Sequence, residues 1–228
     1  MAVINDPTIA ANLQRVGEVA TGATGAGHVT NKPIPTSIGH YRVAYRFAII
    51  AAQAAGSRLF EARNTLSQLF IPTRMQVKIL SFAASTALIE NSLDVYKGVG
   101  FNAVDTVNTV TPVAIAKRTT GFTAAPAGID IRGVTAAGAA AGMTGGTITA
   151  LANPFAQCPY VAAQAVMAAT ETLPRFPNVT EIFDDVNGTH PFALEQNEGI
   201  VIANRVLLGA AGGAIVYVDL SYAVVTAF

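Results

Sequence analysis

Few side chains in this sequence are of types that do chemistry, and their spacing limits what they could do. The single cysteine, Cys158, would need a nearby histidine to lower its pKa before it could act as a nucleophile. His28, His40 and His190 are all remote from it in sequence, so it reads as a small buried apolar residue. One cysteine also excludes an internal disulfide and a four-cysteine zinc site. The acidic doublet Asp184-Asp185, with Glu181 nearby, lacks the Asp-x-Asp-x-Asp-Gly loop that gathers the roughly six or more oxygens calcium takes, and reads as a solvated acidic turn. Glu195 and Glu198 could form a carboxylate pair for acid–base work, but nothing in the sequence sets their separation or builds a cleft around them. Gly98 and Gly100 lack the third glycine and the strand–turn–helix setting of a phosphate loop, so Lys97–Phe101 reads as a turn. There is no Gly-x-Ser-x-Gly elbow, His-Glu-x-x-His helix or Walker loop. The sequons at Asn178 and Asn187 stand without a secretory signal. The expectation is a protein that is not an enzyme, with no catalytic, cofactor-binding or metal-binding residues and no cofactor.

Composition points the same way. Of 228 residues, 51% are hydrophobic and only 12% charged, about half the usual charged share. A surface this poor in charge is expected to be covered by partners. Lys+Arg and Asp+Glu balance at 14 each, which leaves no net positive field for nucleic-acid phosphates. Carbohydrate-binding sandwiches often stack sugars on aromatic faces, and there is no tryptophan, although Tyr or Phe could serve. The N-terminus has no basic region followed by an apolar run, so it does not read as a signal. Gly133 to Thr170 contains no charged residue, but its glycines, prolines and Asn153 break any regular helix long enough to span a membrane. It reads as strand and loop in a packed interior or a subunit interface.

The elements that would position these residues are strands. Residues 1–40 mix Gly, Thr, Pro and Asn without steady periodicity and read as an N-terminal arm, with a short helix conceivable at Thr8–Val19. From Tyr41 to Gln53, Tyr41, Val43, Tyr45 and Phe47 share one face, and Arg42, Ala44 and Arg46 the other; this period-2 alternation marks a half-exposed strand. Its arginines are expected to be solvated or paired with carboxylates across the sheet. Further strands are expected at Ser57–Asn64, Leu69–Ala84, Ala87–Tyr96, Val110–Arg118, Gly128–Val134, Thr147–Leu151, Tyr160–Ala169 and Val179–Val186. A helix is conceivable for the alanine-rich Pro159–Thr170. Asp130 and Arg132 read as an exposed same-face pair. Ala136–Gly146 reads as a small-residue stretch for close backbone approach or a flexible loop, Leu173–Asn178 as a loop, and Asn187-Gly188 as a turn. At the C-terminus, Ile200–Ile202 and Ala214–Val218 flank the turn Gly209–Gly213 and read as a hairpin, with Ile200, Ile202, Val216 and Val218 buried. Roughly eight to ten short runs without strong helical patterns indicate an all-β chain, a β-sandwich of jelly-roll type over 41–228.

One resemblance sharpens this reading. His190-Pro191, the turn Leu194–Gly199 (pattern L-x-x-N-E-G), the strand Ile200–Asn204 and the final strand Ala214–Leu220 resemble a recurring ending of virion structural proteins of tailed bacteriophages. Tyr41–Asn64, with Leu59-Phe60-Glu61-Ala62-Arg63-Asn64, is similar to their opening. The resemblance implies a structural protein assembled in many copies, above all a head decoration (cement) protein. Such proteins are often trimeric β-sandwiches seated on the capsid lattice. Its partners would be the major capsid protein or other virion subunits and further copies of itself, with no nucleic acid and no membrane. Its place would be the virion, assembled in the host cytoplasm. The Gly/Ala-rich middle has no counterpart in that pattern. A tail, baseplate or other capsid component is the alternative within the same class, and a carbohydrate-binding sandwich the alternative outside it. Glu195–Glu198 reads as a subunit contact rather than a catalyst.

Overall fold

Strand after strand follows from the alternation. A computed structural model of the chain describes residues 37–83, 89–110, 113–118, 124–162, 178–184 and 192–226. In chain order its strands are β1 (Ser37–Ile49), β2 (Arg58–Asn64), β3 (Leu69–Ala83), β4 (Ile89–Ala103), β5 (Thr109–Val110), β6 (Ala116–Lys117), β7 (Ile129–Val134), β8 (Thr147–Ala150), β9 (Ala156–Ala162), β10 (Asn178–Asp184), β11 (Glu198–Asn204) and β12 (Gly213–Val225). No helix occurs among the described residues. On β1, Tyr41, Val43 and Phe47 are buried, Tyr45 is half-buried, and Arg42, Ala44 and Arg46 face solvent, as period-2 geometry requires. On β3, Met75, Val77 and Ile79 point inward while Arg74 is exposed.

The strands form two antiparallel sheets, one ordered β10-β3-β12-β1-β6 and a seven-stranded one ordered β5-β7-β2-β11-β4-β8, with β9 also on β4. Four pairs nest inside one another: β1 with β12, β2 with β11, β3 with β10, and β4 with β9. The members of this series alternate between the sheets, so a long antiparallel double ribbon wraps around a common core. Its inner contacts, β12 on β3 and β11 on β4, close each sheet. This is the connectivity of a jelly-roll β-sandwich, the fold class that the spacing of short strands predicts.

The core between the sheets is apolar and continuous. Tyr41, Phe47, Phe60, Met75, Leu93 and Tyr222 are wholly buried, and the Phe70 and Tyr222 rings stack with centroids 4.5 Å apart. Ile200, Ile202, Val216 and Val218 are buried, as expected. Pro72, which cannot donate to a ladder, sits where the β3–β12 register slips between Ser221 and Tyr222, a position that tolerates proline.

Several expected boundaries shift. The C-terminal pair of strands is not a hairpin: β11 lies in one sheet and β12 in the other, so Gly209–Gly213 belongs to an arch across the sandwich. Lys97–Phe101 is not a turn but part of the long strand β4, which is irregular where Gly100 has φ 63°. Val110–Arg118 is not one strand. Val110 pairs with β7, and Ala116-Lys117 pairs with β1 in the other sheet, so this segment also crosses the sandwich. Pro159–Ala162 is strand, and the remainder of the conceivable helix lies outside the described residues. The segment assigned to an N-terminal arm also lies outside them, except for Ser37–His40, which open β1. The Asn187-Gly188 turn is likewise outside, and so is the 173–177 part of the expected loop; Asn178 begins β10.

Candidate functional site

Among the described residues, the chemistry-bearing side chains that the sequence offers do not converge. Cys158 on β9 faces the core opposite Leu93, and burial pushes its thiol up to about 11; a thiol held neutral in this way is a poor nucleophile. His40 is on β1 in the other sheet, while His28 and His190 lie outside the described residues. Glu181 stands on β10, where its Oε1 accepts from Arg74 Nε (3.1 Å) and Gln76 Nε2 (3.2 Å). Asp184 ends that strand in register with Arg74, so the expected acidic turn is in part a strand; Asp185 is outside the described residues. Asn178 and Thr180 of the first sequon are in the same strand, and the second sequon is outside.

The Glu195–Glu198 segment is a turn clamp. Leu194 is buried and bridges Phe70. Asn197 has φ 61°, a left-handed conformation that Asn tolerates. Its N–H donates to the Asn64 carbonyl at 2.7 Å, and its side-chain oxygen accepts from Arg63 Nη2 at 3.0 Å. Glu198 Oε2 accepts from the Glu195 N–H at 2.9 Å and pairs with Lys97 Nζ at 2.8 Å. The Glu198 carboxylate is thus committed to holding the entry of β11. Arg42 pairs with Asp219 across the sheet, Nε to Oδ1 at 2.8 Å, as expected of it.

A charge cluster that spacing alone does not reveal lies on the outer side of the seven-stranded sheet. The β2–β11 register slips opposite Leu59, and this bulge brings Arg58 to the same side as Glu61. Arg58 Nη1 donates to Glu61 Oε1 at 2.7 Å, and Arg58 Nη2 donates to the Gly145 carbonyl and lies 3.9 Å from Asp105 Oδ2. Arg132, in register with Glu61, donates to the Asp105 carbonyl at 2.6 Å and grips Asp130 through Nε (2.9 Å) and Nη2 (3.0 Å). The Asp130–Arg132 pair is therefore not the exposed pair expected: both side chains are partly buried, and Arg132 is held as well by the Asp105 carbonyl. Asp105 in turn accepts from the Val107 N–H at 2.6 Å and from the Gly145 N–H. The Glu61 side chain is 1% exposed and one of its oxygens has no hydrogen-bond partner. Burial pushes its carboxyl up to about 7, with Arg58 opposing the shift and Asp105 adding to it. Chemically, this arrangement clasps two loops onto a sheet; its cations are already occupied by its own carboxylates and carbonyls.

A second polar network ties the chain near the end of β11. Asn91 Nδ2 donates to Tyr160 Oη (2.9 Å), Asn204 Oδ1 (3.0 Å) and the Val206 carbonyl (3.0 Å). Asn204 Nδ2 donates to the Ala54 and Val206 carbonyls at 3.1 and 2.6 Å. Burial raises the Tyr160 phenol. Elsewhere Phe155, Phe183 and Phe192 form a triangle with centroids 4.9–5.4 Å apart, and Lys97 Nζ lies 5.8 Å from the Phe192 ring centre. Among the described residues no group of three or more His, Cys, Asp or Glu could hold a metal ion, and no helix is long and apolar enough to cross a membrane. Comparison with protein-family models, curated proteins and solved structures finds no match to this chain.

Proposed function

We propose that this chain is an assembly module, a structural protein of a bacteriophage virion, and within that class a capsid decoration protein that binds and stabilises the head shell through subunit contacts. The observation that carries this reading is the use of its polar chemistry. Among the described residues, polar side chains are spent on holding strands and loops, as in the Glu198–Lys97 clamp, whose glutamate the sequence singles out, and the Arg58–Glu61 clasp, which it does not. Meanwhile large apolar side chains face outward: Val107, Leu151, Phe155, Val179, Val206, Leu207 and Tyr217 are 38–59% exposed. A chain with so little charge and this much uncovered apolar surface suits burial against neighbours. The jelly roll recurs in viral coat domains, and also in lectins, so the fold supports the reading by analogy only. Electron cryomicroscopy of particles containing the chain tests it. The expected result is the sandwich at repeated positions on the head; its absence from purified particles overturns the proposal.

A further inference from the structure

Two buried carboxylates of the outer charge cluster share one guanidinium. The Glu61 side chain on β2 is 1% exposed, and Asp105, in the 104–108 link from β4 to β5, is wholly buried. Arg58 reaches both: Nη1 donates to Glu61 Oε1 at 2.7 Å, and Nη2 lies 3.9 Å from Asp105 Oδ2. The other charged groups on this side are engaged elsewhere. Arg132, beside Glu61 on β7, grips Asp130 and the Asp105 carbonyl. Arg63, two residues along β2, donates to the Asn102 carbonyl and to the Asn197 side chain. On β11 the residue in register with Glu61 is the uncharged Val201, and Tyr96 of β4, in register with Val201, donates to Asp94. The two carboxylates are also satisfied unequally. Both Asp105 oxygens accept backbone N–H groups, Oδ1 from Val107 and Oδ2 from Gly145, whereas Glu61 Oε2 has no partner. Where two like charges crowd one site, the proton settles on the carboxyl that receives fewer donors, so Glu61 is the acid of the pair.

We infer that this cluster is a pH-operated latch on the 104–108 link: with Glu61 protonated the link is held against β2, and with Glu61 ionised it opens. The link is attached through the pair itself. The Asp105 N–H bonds to the Glu61 carboxyl, and the Asp105 carboxylate accepts the Val107 and Gly145 N–H groups. Little apolar burial holds it, because Asp105 is the only buried residue of 104–108, and Thr106, Val107 and Asn108 are exposed. Loss of the Glu61 proton puts a second negative charge beside Asp105, with one oxygen that no donor reaches, out of contact with water. Lifting the link separates the two carboxylates and hydrates Glu61, a local opening that leaves the sandwich folded. Burial raises the Glu61 carboxyl from 4.5 to about 7, so the closed form holds the proton more tightly than the open one. Opening therefore increases as pH rises between those values and levels off above them. Val107, 47% exposed, rides on the link, so the latch sets whether this apolar side chain is fixed for a contact. The inference does not depend on the virion reading, since it concerns the isolated chain.

Native-state hydrogen exchange on the full chain, with the intrinsic rates at each pH divided out, tests the latch. The Val107 and Gly145 amides are expected to lose protection at least about tenfold between pH 5 and pH 8, and low concentrations of urea are expected to leave their exchange unaltered. Amides of β12 exchange by unfolding of the core and therefore respond to urea. Glu61→Gln has no carboxyl to ionise and is expected to keep at pH 8 the protection that both amides have at pH 5. Equal protection of the wild-type amides at the two pH values overturns the inference. So does exchange of Val107 and Gly145 only together with β12, or wild-type pH dependence in a folded Glu61→Gln. The wild-type series decides the matter alone if that variant does not fold.

Discussion

Glu61 shows how a residue's chemistry depends on neighbours that its sequence context hides. Its carboxyl is raised from 4.5 to about 7 because it is buried. Between those values the folded chain keeps a proton that the unfolded chain has released. The resulting stability is present in full below about pH 4.5 and is lost as pH rises through about 7. The difference amounts to at most about 3 kcal/mol. Urea unfolding of the wild type at pH 5 and pH 7 is expected to show the loss, and Glu61→Gln to remove most of that pH dependence; parallel behaviour of the two proteins would contradict the assignment. For Cys158, a thiol pushed up to about 11 inside the core is expected to resist thiol reagents at pH 8 and to react once urea unfolds the chain; rapid labelling of the native protein would contradict this. Its burial was legible in the sequence, because a lone cysteine in an uncharged stretch is most simply core, although the strand that carries it, β9, begins earlier than the expected Tyr160. The Arg58–Glu61–Arg132 clasp was not legible, since it requires a bulge and two loops far apart in sequence. Asn204 was also hidden, within the polar end of an apolar strand. Asn204→Ala would orphan several buried partners and is expected to cost about 3 kcal/mol, read from the urea midpoint.

Among the elements, strands with clean alternation were legible in advance and the joints between them were not. β1 and β3 follow in the main from period 2, whereas β12 continues past the expected end through Leu220–Val225, which are buried at every position. The arch from β11 to β12 looks like a hairpin because a Gly/Ala-rich link between two apolar runs does not say which sheet each run joins. β4 looks interrupted because glycine is common in turns, whereas Gly98 lies under Ile148 and Gly100 marks an irregular ladder. The L-x-x-N-E-G pattern at the entry of β11 now has a physical meaning. Leu194 anchors it in the core, Asn197 takes the left-handed conformation, Glu198 clamps it, and Gly199 leaves room for neighbours. A Cβ at Gly199 would meet the Ala62 carbonyl at 2.5 Å and the Phe101 ring at 2.8 Å. Gly199→Ala is therefore expected to cost about 1–3 kcal/mol. Gly98→Ala would meet first the movable tip of Ile148 at 2.6 Å and should cost less. Equal melting points for the two variants would contradict this account of the turn.

At the scale of the whole molecule, composition and topology bear on the same question. A chain with 12% charged residues, a jelly-roll core and outward apolar side chains is what the proposed assembly role would use. The fold class was legible from the number and spacing of short strands. The nesting of β1 with β12 through β4 with β9 was not, because pairing between distant strands leaves little trace in any one segment. We propose that the chain is a structural part of a virion shell. Electron cryomicroscopy of purified particles measures this most directly. Density for this jelly roll is expected at regularly repeated sites on the head. Particles that lack the chain would contradict it.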